Sequence, residues 1–528
     1  MLLRHDAAEG PRAPAARWLG RSALAAICLS LALIIAVGLE GRSAAVSALP
    51  SAGGWPPYFF NARIAPAWTS LQIWAAVLPG GLGLTAGLIA VRRGWRPRPR
   101  LLVIGSVIAV TVLTVLPPIG STDMFDYAIY GRIAALGHSP YVMTPAQLRA
   151  SGDPVGKIAP HPWEYDPSVY GPLGTATEWA AAKLAGASAA RTIFWLKVWN
   201  ALAFLAVALA LDWMFRRDAT GRARAHLLWS VNPLMLFAVV AGGHIDGLGA
   251  ALGLFALIAA RRLNVGRGLL AGVLVGAAIA IKAPFALFAA GLGWAARRSP
   301  LTLAAIGTGA AAVLVPSYLL AGPKAISAVA GRAAGQSDVY QPWQLLTRLL
   351  GWQNSGRGLD ILALSASAAL AVVLLLRMPA GPARMASVRP ALALSLGWLI
   401  FSPQQRPWFD AMIFPLLALM PATRLDWIAV LRLTAATLAE LPGVTYYIYL
   451  HPASLFSTAN AIDRWIVPGA LIVALIGLLW LCFTNRWTPG AEPGGSTGAD
   501  QGPPGAGRSA SSARQAAGRL LPGRQPGI

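Results

Sequence analysis

Negative charge is scarce in this chain. Twenty Asp and Glu stand against 43 Lys and Arg, and charged residues of both signs make up only 12% of the sequence. A soluble domain ordinarily carries about 25%, so a solvated globule of this length is excluded. Cysteine is scarcer still. Cys28 and Cys482 both lie inside long apolar runs, which excludes a disulfide framework and a Cys-based metal site. The net charge of +23 does not point to nucleic acid either, because the cations do not form one patch. They gather in short connections between apolar runs, as in Arg92, Arg93, Arg96, Arg98 and Arg100, in Arg216, Arg217, Arg222 and Arg224, and in Arg297 and Arg298. That is the pattern of cytoplasmic loops beside anionic membrane lipid. The basic balance reports topology, with no nucleic-acid partner.

What the chain has in abundance is apolar length. Hydrophobic residues make up 56%, and bilayer-length runs recur at Ser22–Leu39, Leu71–Val91, Leu101–Leu116, Phe194–Phe215 and Ile466–Phe483. Laid between the cation clusters, they predict an all-α polytopic membrane protein of about fourteen transmembrane helices with both ends cytoplasmic. Residues 1–21 form a cytoplasmic lead, 22–485 the membrane domain, and 486–528 a Gly-, Pro-, Ser- and Arg-rich tail expected to be disordered. The first apolar run is read as a retained span, since no small-residue cleavage site ends a short apolar core. Parity requires that Pro172–Ala187 lie in the outer leaflet instead of crossing. The remaining connections then fall outside, the loop 119–193 being the longest.

Polar chemistry is densest in the part of that loop from Ser121 to Gly171. It holds Asp123, Asp126, Asp153, Glu164 and Asp166, with His138, His161, Trp163, Tyr165 and Tyr170 among them. Acids interleaved with aromatic faces suit a sugar, which offers C–H surfaces to stack and hydroxyls to bind. On a helix, Asp123, Asp126, Tyr127 and Tyr130 share a face. The plainer account is a solvated helix start with Asp123 as its cap, but five of twenty acids in one loop favours function. Further along, Gly242-Gly243-His244-Ile245-Asp246 joins two apolar runs. By itself a His-x-Asp pair fits a hairpin turn as well as a ligand set. Lys282, in Ile281-Lys282-Ala283-Pro284, and Arg406, between Gln405 and Pro407, each fit a lipid-phosphate ligand or an interfacial anchor.

In their order along the chain, these features resemble the GT-C class of membrane glycosyltransferases. Within it they resemble most the actinobacterial polyprenol-phosphate-mannose-dependent α-1,6-mannosyltransferases of lipomannan assembly. The matching pieces are Ser121-Thr122-Asp123 with Tyr127 and Tyr130-Gly131-Arg132, then Gly137-His138-Ser139-Pro140-Tyr141 and Tyr170-Gly171-Pro172-Leu173. They continue through Asn232-Pro233-Leu234, Gly242–Asp246, Lys282-Ala283-Pro284 and Pro407-Trp408-Phe409, over about Arg21 to Phe483. Two positions depart from the family pattern. Ile245 stands where Asn is expected between His and Asp, and Asp126 stands where a small polar residue is usual.

The resemblance implies a GT-C-like bundle that transfers mannose from a polyprenyl-phosphate donor to a glycolipid or mannan acceptor, inverting the anomeric carbon at the outer face. It implies Asp123 as the general base. Asp126, Tyr127, Tyr130, Arg132, Tyr141, His244 and Asp246 would bind the acceptor or support the site, and Lys282 and Arg406 would meet the donor phosphate. No cofactor is called for, and a divalent metal is neither required nor excluded by the sequence. The rivals are a transferase for another polyprenyl-phosphate sugar such as arabinose, and a lipid or sugar transporter. A transporter should show repeated halves with broken helices near the midplane, and no such repeat is present.

Overall fold

A computed structural model describes residues 12–46, 49–50, 54–58, 61–160, 163–332, 341–351, 357–402, 406–440 and 453–488. His161, the first eleven residues and the tail beyond 488 lie outside them. The chain divides into Met1–Pro489 and Gly490–Ile528, and all that follows concerns the first unit.

The protein is an all-α polytopic membrane protein, with no strand among the described residues. Among the described residues, six helices are long and apolar enough to cross a bilayer: Pro14–Glu40, Pro66–Arg92, Ala189–Met214, Ala219–Ala241, Pro300–Ala321 and Phe456–Thr484. Six shorter apolar helices accompany them: Pro99–Val115, Val265–Ile281, Ala283–Ala296, Ile361–Arg377, Val388–Phe401 and Pro407–Leu419. Six full-length and six shorter apolar helices therefore stand beside the expected fourteen spans. Prolines and irregular turns interrupt the helices at Asn232-Pro233 and Lys282-Ala283-Pro284. The helix Pro172–Ala185 has 14 residues. At about 1.5 Å per residue it reaches about 21 Å, short of a hydrocarbon core of about 30 Å.

Arg12–Glu40 packs along Pro66–Arg92, and Val265–Ile281 along Pro300–Ala321. The main core is built of Leu, Ile, Val, Phe and Ala from most of these helices. A second core, with Phe125, Tyr127, Ile129, Ile193 and Leu196, lies beneath the acidic loop. Where the bundle closes on the expected cytoplasmic side, charge is buried but satisfied. Arg224 grips Asp426 with two nitrogens at 2.6 and 2.8 Å and donates to the carbonyls of Leu417, Ala418 and Met420. A guanidinium with its donors met can remain charged inside a bundle, which an unpaired one cannot.

Candidate active site

Asp123 opens the helix Asp123–Ala135, with Thr122 at the cap position. The capping account of Asp123 is therefore not realised: it is the first helical residue, and the hydroxyl of Ser121 accepts its N–H at 3.2 Å. The preceding helix ends at Val115, and its last turn is closed from outside. Lys197, buried on Ala189–Met214, donates to the carbonyls of Leu113, Leu116 and Pro117 at 2.6, 2.7 and 3.4 Å. One turn further along the same helix, Asn200 donates to the Gly243 carbonyl at 2.9 Å. Residues three apart share a helical face, so one face of this helix pins both the link leading to Asp123 and the turn carrying His244.

His244 is buried and stacked flat on Trp408, with ring centroids 3.4 Å apart and planes 10° from parallel. Its Nδ1–H donates to the Ala238 carbonyl at 2.6 Å. A carbonyl can only accept, so in the neutral ring the proton sits on Nδ1 and the Nε2 lone pair is bare. Burial pushes the imidazole pKa down to about 4, with Asp123 pulling it up and Lys282 and Arg406 pushing it further down. Nε2 has no hydrogen-bond partner among the described residues and lies 3.7 Å from Asp123 Oδ2. Two acceptors thus face each other across a gap with no hydrogen between them.

The other wall is cationic and aromatic. Lys282 Nζ donates to both oxygens of Asp246, at 3.0 and 2.9 Å, and sits 4.2 Å from the Phe409 ring centroid. The Tyr170 ring lies 5.9 Å from the same ammonium and meets Tyr127 edge-on at 4.9 Å. Gly171 makes this possible. Its N–H donates to the Ile281 carbonyl at 3.0 Å, and a Cβ there would stand 2.2 Å from the Ala280 carbonyl oxygen, which no side chain tolerates. Arg406 Nη1 is paired with Glu440 at 2.7 Å. The turn Pro407–Met412 that follows it is fastened from below by the buried Asp410–Arg432 ion pair.

Asp123, Tyr127, His244, Asp246, Lys282 and Arg406 are therefore neighbours in one site. Burial, then Tyr170, Asp123 and Asp246, hold the Tyr127 phenol well above its ordinary value, in keeping with that grouping. The acidic helix face divides at this point. Asp126 is buried, and its charge bears on Tyr130, whose hydroxyl donates to the Asp166 carbonyl at 3.0 Å. Tyr141 donates to the Tyr170 carbonyl at 3.1 Å and meets Thr175 at 3.0 Å. Arg132 pairs with Asp153 at 2.8 Å. Tyr130, Tyr141 and Arg132 thus fasten the loop to itself. Glu178 is buried beside them, neither carboxylate oxygen having a partner among the described residues, and burial pushes its carboxyl well up.

Trp408, Phe409 and Glu440 were not read from the sequence as site residues. The first two stood in a motif beside Arg406, while an acid at a helix end far along the chain carried no signal. Among the described residues, no three His, Cys, Asp or Glu converge as metal ligands would.

Residues 30–298, just over half of the 528-residue chain, match the N-terminal domain of the alpha-(1->6)-mannopyranosyltransferase family. That stretch includes Asp123, His244, Asp246 and Lys282 and stops short of Arg406. A probable alpha-(1->6)-mannopyranosyltransferase of Mycolicibacterium smegmatis is 26% identical over 136 residues, which are 26% of this chain and 24% of that protein. An alpha-(1->6)-mannopyranosyltransferase of Mycobacterium tuberculosis is 25% identical over 136 residues, 26% of this chain and 23% of its own length. The chain thus spans about a quarter of the length of the curated relatives it matches.

Proposed function

We propose, since this chain belongs to the alpha-(1->6)-mannopyranosyltransferase family, that it moves a mannosyl residue from a polyprenyl-phosphate donor to a lipid-linked mannan acceptor. Transfer takes place at the outer face of the membrane and forms an α-1,6 linkage. The observation that carries the reading is the bare Nε2 of His244 facing Asp123 at 3.7 Å, with Lys282 and Arg406 close enough for their charges to bear on that ring.

The acceptor hydroxyl approaches from the exposed side of Asp123. As its oxygen attacks the anomeric carbon, its proton passes to the Asp123 carboxylate, which is a quarter exposed and so open to the acceptor. The bond from that carbon to the donor phosphate oxygen breaks, and its electron pair leaves on the phosphate. Lys282 and Arg406 meet the charge that develops there. Attack opposite the leaving group inverts the carbon, so one base and one stabilised leaving group suffice. His244 stays neutral near pH 7 and so adds no cation beside the base. Tyr170, partly exposed and backed edge-on by the buried Tyr127, offers a face for the sugar.

Donor choice is tested with purified protein given polyprenyl-phosphate mannose or polyprenyl-phosphate arabinose at equal concentration. Transfer of mannose supports the reading, and preferential transfer of arabinose would replace it.

A further inference from the structure

The site contains more negative charge than a phosphate-binding site should. Lys282 and Arg406 supply two cations, and Asp123, Asp246 and Glu440 supply three carboxylates. Both cations are already paired, Lys282 with Asp246 and Arg406 with Glu440. An anionic donor entering this arrangement gains little unless one carboxylate gives way. The two pairs differ in how readily they can. Asp246 is 2% exposed, holds Lys282 through both oxygens and begins a buried helix, and stripping its partner would strand a buried charge. Glu440 is 13% exposed and Arg406 29%, and the carboxylate follows the last turn of Leu425–Ala439. A pair at that depth exchanges with water and solutes at modest cost.

We propose that Glu440 is a positioning residue: an exchangeable counter-ion that holds Arg406 aimed at the site until the donor phosphate displaces it, and that reclaims Arg406 to expel the product. This rests on the reading of Arg406 as a donor-phosphate ligand. It accounts for two requirements. In the empty site, Glu440 balances an Arg406 whose charge already bears on the His244 ring beside the base. After transfer, the leaving polyprenyl phosphate has changed from a diester with one charge to a monoester that can carry two, and would bind an uncontested arginine tightly. A competing carboxylate shortens its stay. Glu440 also sets a threshold against ordinary anionic lipids, since a phosphate must outbid it and engage Lys282 as well.

The test compares wild type, Glu440→Gln, Glu440→Asp and Arg406→Ala, all full-length in lipid nanodiscs. Donor KM, kcat and inhibition by added polyprenyl monophosphate are measured for each. In Glu440→Gln, donor KM should fall and inhibition should tighten by about two- to five-fold, the range open to a partly exposed ion pair, while kcat falls as product release slows. Glu440→Asp, which keeps the charge on a shorter arm, should shift both in the same direction by less, and it carries the test should the Gln variant not insert. Unchanged or raised donor KM in both Glu440 variants, with donor KM raised in Arg406→Ala, would overturn the counter-ion role and leave the phosphate reading standing. Unchanged donor KM in Arg406→Ala would overturn the phosphate reading, and this inference with it.

Discussion

Replacing Asp123 by Asn separates proton transfer from everything else this residue does. The amide has the same shape, but it cannot take a proton at neutral pH. Removing a helix-N-terminal carboxylate costs about 0.3–1 kcal/mol of favourable dipole interaction. The new amide N–H can donate across the 3.7 Å gap to the bare His244 Nε2, which returns about 0.5–1.5 kcal/mol. The two nearly cancel, so the melting temperature in detergent should stay within a few degrees of wild type. Transfer, by contrast, loses the proposed general base and should fall by about 10²–10⁴-fold, while lipid-donor binding persists. The assay is mannosyl transfer by purified variant at saturating donor, with thermal melting on the same sample. The amide keeps the shape of the side chain, so a purely structural role predicts full activity. Wild-type transfer by Asp123→Asn would remove Asp123 as the base, and a larger loss in Asp126→Asn would move the role to Asp126.

Other substitutions test the surrounding scaffold. Lys282→Ala leaves Asp246 buried and alone and should cost about 3–5 kcal/mol of stability; Lys282→Met with Asp246→Asn should recover melting temperature but not transfer, and recovery of both would make the pair purely structural. Lys197→Met should lower kcat more than donor KM by loosening the link to Asp123, with partial rescue by Lys197→Arg; an equal rise in KM would contradict a positioning role. Glu178 has a folded-state pKa raised above its unfolded value by burial, so the folded state binds the extra proton and stability falls as pH rises above about 4.5, by at most about 1.4 kcal/mol per pH unit. Glu178→Gln should flatten that dependence and melt higher at neutral pH; an unchanged slope would place its titration elsewhere. Topology is tested by cysteines placed in a Cys-free background at Ser139 and Ser299, both exposed. An impermeant thiol reagent on intact cells should label Ser139→Cys and spare Ser299→Cys, and the reverse would turn the site to the cytoplasm.

Much of the architecture was legible because apolar length and arginine placement are local signals. The runs near Ser22–Leu39 and Leu71–Val91 became Pro14–Glu40 and Pro66–Arg92. The site was legible as a set of motifs but not as a constellation. Asp123, His244, Lys282 and Arg406 are separated by 38 to 124 positions, and nothing in periodicity states that they meet. Helical spacing grouped Tyr130 with Asp123, yet the hydroxyl of Tyr130 is committed to Asp166. Arg132 looked like a ligand, but Asp153, 21 positions along the chain, claims it. The pairing of Arg406 with Glu440 depends on where two distant helix ends arrive, which only the packed bundle decides.

The central claim is that mannose reaches the acceptor from a polyprenyl-phosphate donor. Membranes containing the protein, and matched membranes containing Asp123→Asn, are given radiolabelled polyprenyl-phosphate mannose with an oligomannoside acceptor, and the product linkage is determined. The account predicts an α-1,6-linked product from the wild type and a loss of about 10²-fold or more in the variant. Transfer from a nucleotide-activated mannose alone, or a product formed equally by both membranes, would contradict it.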